Sequence, residues 1–111
     1  MKVSVTLIQS DGSKDRTVIN QIEDRECFSY LDHQNAKCEI AIQKNQFDLK
    51  RKAADHQVQL HLGENSYTSV QTEEGNLIFE VKTVDFNFNS DILVIRYIIN
   101  DEERVIEIKY Y

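Results

Sequence analysis

At 111 residues, 41% hydrophobic and 29% charged, the chain has the balance of one globular domain around a single core rather than of a disordered or multidomain protein. Its net charge of −6 argues against a nucleic-acid backbone as partner, and it has no basic amphipathic run that would hold it on a membrane surface. The longest strictly apolar run, Ile92 to Ile95, is far too short to span a bilayer, and the first residues alternate like a strand instead of forming the apolar stretch of a secretion signal, so a cytoplasmic location is expected.

Val3, Val5 and Leu7 alternate with Ser4, Thr6 and Ile8, which predicts a first strand. Ser10-Asp11-Gly12-Ser13 reads as a hairpin turn, and residues 16–22 return beside the first strand with Val18 facing Val5. Residues 21–26 are charged and read as a bend or a short helical turn. Residues 27–31 form a short strand that ends in the turn Asp32-His33-Gln34-Asn35. Residues 37–43 and 46–51 make a hairpin about Lys44-Asn45, setting Ile42 against Phe47 and Ile40 against Leu49 on one apolar face. Residues 51–55 are the least strand-like piece and read as a loop or one helical turn. Residues 57–62 resume with Val58, Leu60 and Leu62 inward, and Gly63-Glu64-Asn65 turns into the last section.

Residues 67–111 read as an antiparallel meander of four strands. A turn at Glu74-Gly75 sets Val70 opposite Phe79; one at Asn89-Ser90 sets Phe86 opposite Leu93; one at Asp101-Glu102 sets Ile95 opposite Ile108 and Tyr97 opposite Ile106. The inward phase is odd at Leu77, Phe79 and Val81 but even at Val84, Phe86 and Phe88, so a bulge or sharp bend is expected near Lys82-Thr83. No proline interrupts these strands. About nine short strands result, at the spacing of sandwiches and barrels.

The segments GNLIFEVKT, ILVIRYIIN and ERVIEIKY, with EIAIQKNQFDLKRKA upstream, resemble the YwiB-like family of uncharacterised bacterial proteins over roughly residues 37–110. The chain is shorter than that pattern before residue 37, and Lys52-Ala53 follow Arg51 where the family tends to have glycine. The resemblance implies an all-β, antiparallel up-and-down barrel of the lipocalin-like, calycin kind, with about 8–9 strands, one domain over residues 1–111 and no established activity.

Chemistry is sparse. The three glycines all sit in turns, and no nucleophile elbow, phosphate loop or metal-helix motif occurs; no catalytic residue is assigned. Cys27, His33 and Cys38 lack metal-ligand spacing, and His56 and His61 point to opposite faces of a strand, so neither a metal nor another cofactor is expected. Two cysteines in a cytosolic chain read as reduced and structural. Asp85 is the acid nearest an apolar position, and its alternation turns it outward.

The functional expectation is that the barrel interior holds a small apolar or amphipathic ligand. Tyr67, Phe79, Tyr97 and Tyr110 would line it, and Arg51 would pair with an anionic head group at its mouth. The bland reading is that these aromatics fill the core and that Arg51 is a surface charge. The rival function is an interaction module, a homodimer included, that pairs through an exposed edge strand.

Overall fold

A computed structural model describes residues 1–111. Every element is a strand: β1 (Val3–Ile8), β2 (Lys14–Ile19), β3 (Cys27–Leu31), β4 (Lys37–Gln43), β5 (Gln46–Lys52), β6 (His56–Leu62), β7 (Tyr67–Thr72), β8 (Gly75–Glu80), β9 (Lys82–Phe88), β10 (Ile92–Ile99) and β11 (Glu102–Tyr110). No helix is long and apolar enough to cross a membrane.

The strands form two antiparallel sheets, ordered β2-β1-β11-β10-β9 and β3-β4-β5-β6-β7-β8. This overturns the expected lipocalin-like barrel. Closure would need β2 to pair with β3 and β8 with β9, and neither pair forms. The space between the sheets is a filled layer of sixteen buried apolar residues, with Val3, Val5, Leu93, Ile95, Ile106 and Ile108 meeting Phe28, Ile40, Ile42, Phe47, Leu60 and Leu62. A layer filled by side chains from two facing sheets is a sandwich core, without the central lumen of a barrel.

Eleven strands stand where about nine were expected, and one of the additions comes from the division of the run 75–88. It leaves the six-stranded sheet as β8, passes through the buried Val81 and enters the five-stranded sheet as β9. The predicted bend near Lys82-Thr83 therefore falls one residue early. An irregularity follows: Arg96 opposes Asp85 but Tyr97 opposes Thr83, so Val84 is the extra residue and bulges into solvent. Hydroxyls secure this corner. Gly63 N donates to Ser66 Oγ at 2.9 Å and to Thr83 Oγ1 at 3.0 Å, and the two hydroxyls lie 2.6 Å apart.

The Lys44-Asn45 hairpin has the expected register, with Ile42 opposite Phe47 and Ile40 opposite Leu49. The three later hairpins are each displaced by two residues. Val70 opposes Leu77, Leu93 opposes Phe88, and Ile95 opposes Ile106. A shift of two keeps every side chain on its face, so apolar alternation alone does not distinguish the two registers. The decisive signal is backbone: Asn100 and Asp101 both take positive φ, 51° and 61°, the pattern of a type I′ turn one residue before the expected one. Val18 faces Ser4 rather than Val5, and Arg51 and Lys52 continue β5 rather than starting a loop.

Gly63 has φ +130°, and a Cβ there would drive into the carbonyl oxygen of Asn45, whereas Gly75 at φ +147° has open space around it. Both positions resist side chains on backbone grounds. Gly63→Ala is therefore expected to cost clearly more than Gly75→Ala, by about 2 kcal/mol, read from the urea midpoints of the two variants.

Candidate functional site

The seam between the edge strands β2 and β3 opens into a cavity of about 200 Å³ between the sheets. Val5 and Leu7 of β1 supply one apolar wall, and Leu49 of β5 and Tyr30 of β3 the other. Larger hollows are more open to solvent, such as the mostly polar one of about 640 Å³ beside the corner at Val81.

The polar end of the cavity is built by one row across the six-stranded sheet. Tyr30 opposes Cys38, Cys38 opposes Arg51, and Arg51 opposes Val58, all on the inner face. The β3–β4 turn then folds over this row. Asp32 Oδ1 accepts from the backbone N–H of Gln34 at 2.9 Å and of Ala36 at 3.0 Å, and Asn35 takes φ 60°. This is the local capture of backbone donors that makes aspartate a turn former. It leaves the second carboxylate oxygen free, and Arg51 Nε donates to it at 2.6 Å.

Arg51 is held on all sides. Nη2 donates to Gln34 Oε1 at 2.7 Å, and Nη1 lies 3.2 Å from His56 Nε2. A guanidinium can only donate, so His56 Nε2 is the acceptor there and its Nδ1–H donates to Asp55 Oδ1 at 2.7 Å. In the neutral imidazole these two contacts correspond to the Nδ1–H tautomer. Across the seam, His33 Nε2 donates to the carbonyl of Arg16 at 2.8 Å and sits 3.5 Å from Asp15 Oδ1, strapping the β3–β4 turn to β2.

Charge states follow from these surroundings. Burial pushes the Asp32 carboxyl up, but the Arg51 hydrogen bond and the Ala36 and Gln34 N–H groups outweigh it and hold the group below its ordinary value. Burial and the nearby Asp32 charge push the Cys38 thiol up, the opposite of an activated nucleophile. Burial likewise raises Tyr30. The cavity is lined by one guanidinium, two carboxylates (Asp32 and Asp15), the His33 imidazole, a thiol and a phenol. It is equipped for ion pairing and hydrogen bonding.

Of the residues expected from sequence to bind a ligand, only Arg51 lies here. Tyr67 faces the outer side of the six-stranded sheet, its ring 5.5 Å from that of His61, which in turn contacts Asp48 at 2.8 Å. Phe79 is half-buried on β8 opposite Thr68. Tyr97 is a core residue opposite Arg104, raised by burial. Tyr110 is buried at another end, donating to the Arg25 carbonyl at 2.8 Å beneath the Arg25 guanidinium, and burial pushes it up to about 12. For Tyr97 and Tyr110 the core-filling reading holds; the expected common lining does not form. Asp32, Gln34, Tyr30 and Cys38 were missed, since only the strand register brings them beside Arg51. No group of three or more His, Cys, Asp or Glu side chains is placed to hold a metal ion.

No protein-family model and no curated protein matches the chain. The fold is similar to that of the ywiB protein from Bacillus subtilis, known from a crystal structure. The TM-score is 0.60 at 9% identity, covering 99% of this chain and 90% of that one. A YwiB-like fold is thus supported, and at this identity the likeness speaks for the fold alone.

Replacing Arg51 by methionine leaves Asp32 without its cation. The expected loss is about 1.5 kcal/mol, the low end for a charged hydrogen bond, because Arg51 keeps 24% of its side chain exposed. Asp32 has a depressed folded pKa, so its stabilisation is present above the unfolded carboxylate value of about 4 and is lost as pH falls through the lower folded value. Urea midpoints measured from about pH 5 downwards should fall less steeply in Arg51→Met than in the parent.

Proposed function

We propose that this protein binds a small amphipathic molecule with an anionic end in the cleft between β2 and β3, and that it binds without catalysing a reaction. The observation that carries this reading is the Arg51 guanidinium, fixed by Asp32 and Gln34 at the end of an apolar cavity to which both sheets contribute. The interior of a barrel is no longer the place for a ligand. The cleft at the seam takes over that role, and of the earlier residues it keeps only Arg51.

Size and chemistry narrow the class. A volume of about 200 Å³ is below the 300–1,000 Å³ of pockets for drug-sized ligands, so the occupant is small. Its apolar part would pack on Val5, Leu7 and Leu49, and its anionic end would accept from guanidinium N–H groups that Asp32, Gln34 and His56 leave over. A carboxylate suits this fork geometry better than a bulky phosphate does, because Asp32 already occupies the Nε side. The raised Cys38 and Tyr30 remain neutral and add no competing charge. Both cysteines are free, which fits a reducing compartment and is the support for a cytoplasmic setting.

The test is an NMR titration with short-chain alkyl carboxylates and the matching alcohols. Saturable shifts at the amides of Leu7, Thr17, Leu49 and Arg51, at a Kd of about 1 mM or tighter, are expected for the carboxylates and not for the alcohols. Thr17→Phe, which fills the cavity from an edge strand, and Arg51→Gln should each abolish them. Equal response to acid and alcohol, or binding that survives both substitutions, would count against the site.

A further inference from the structure

Strand edges are where β proteins meet unwanted or intended partners, and folds protect them with charge, bulges or cover. Three of the four sheet edges here are protected. β2 is charged at Lys14, Asp15 and Arg16; β3 is strapped to β2 through His33; β9 carries Lys82, Asp85 and the Val84 bulge. β8 has none of these. It pairs only with β7, it carries no charge before its last residue Glu80, and Leu77 and Ile78 are 62% and 69% exposed.

The direction of its unused backbone groups can be fixed. Val81 N donates to Ser66 O, and antiparallel pairs alternate between hydrogen-bonded and open. Phe79, Leu77 and Gly75, at even steps from Val81, therefore spend their backbone groups on β7, Gly75 closing the hairpin against Thr72. Asn76, Ile78 and Glu80 turn their N–H and C=O outward, to an edge with no neighbour.

We infer that β8 is the surface on which a second copy of this chain docks, antiparallel, about a two-fold axis at Ile78. The register is set by self-complementarity. With Ile78 opposite itself, Leu77 meets Phe79 of the other copy on one face, and the two Ile78 side chains meet on the other. Asn76 falls opposite Glu80, an amide donor against a carboxylate. No like charges oppose one another along β8 in this register. A slip by two residues one way sets Glu80 against Glu74 and Ile78 against Asn76, and a slip the other way sets Ile78 against Glu80, so either breaks the outer apolar pair. The six-stranded sheets of two copies would then run on as one sheet of twelve strands.

This inference is independent of the Arg51 cleft, which lies at the other seam. Sedimentation equilibrium over a range of concentrations should show a monomer–dimer equilibrium. Ile78→Lys should raise the dissociation constant at least about tenfold with an unchanged circular dichroism spectrum. Cross-linking tests the register and does not depend on that variant. In a Cys27→Ser background, oxidised Ile78→Cys should give a disulfide-linked dimer, because opposed residues lie about 5.5 Å apart. Asn76→Cys should not, its two copies being separated by about 14 Å. A monomer at every concentration, a dimer indifferent to Ile78→Lys, or cross-linking as ready through Asn76→Cys as through Ile78→Cys would each overturn the proposal and leave the edge to a different extended partner.

Discussion

One backbone run, residues 75–88, belongs to both sheets, and the shape of the sandwich follows from where it bends. A strand in a closed barrel keeps its neighbours along its whole length. This one exchanges β7 for β10 at Val81, so the two sheets are joined covalently at a corner where no hydrogen-bonded ladder can continue. The Gly63, Ser66 and Thr83 hydrogen bonds hold that corner from the inside. Gly63 is the residue with least latitude, because only a backbone without Cβ fits beside the Asn45 carbonyl.

The opposite seam is made differently, and the contrast gives the molecule its two faces. At the corner the sheets share a strand; between β2 and β3 they share only side chains. There the His33 strap draws the edges together without a ladder, and the space behind it is the cleft that holds Arg51. A sandwich whose edges were both sewn by backbone would leave no such opening. The partly buried Asp32–Arg51 pair is tolerated there because the turn amides bind Asp32 while Gln34 and His56 bind Arg51, which leaves two guanidinium N–H groups for a ligand.

Local chemistry made parts of this legible before the structure. The register of the β4–β5 hairpin and the bounds of β3 were readable to the residue because a short turn is flanked by clean alternation. The later registers slipped by two because alternation has a period of two and cannot choose between them; for β10–β11 the paired left-handed residues Asn100 and Asp101 do so. Closure was not readable at all. It depends on whether β2 reaches β3 and β8 reaches β9, contacts between segments that carry no mark of each other. The same holds for the site. Arg51 stood out as a basic residue ending an apolar hairpin, but its neighbours Asp32 and His56 reach it across the sheet and from two different turns. The tyrosines misled, because a phenol serves equally well at a ligand or at a core boundary, as Tyr110 does beneath Arg25.

The two sheets also differ in when they can form. In the six-stranded sheet every neighbour in space is a neighbour in sequence, so it can grow hairpin by hairpin as the polypeptide leaves the ribosome. In the five-stranded sheet, β1 lies between β2 and β11, with Val3 against Tyr110 and Val5 against Ile108. Its most buried strand must therefore stay unsatisfied until the final strand has been synthesised. The early-made β1–β2 hairpin spends that interval with an apolar face and an open edge, and it is the segment through which a slow step or a chaperone would act on this fold.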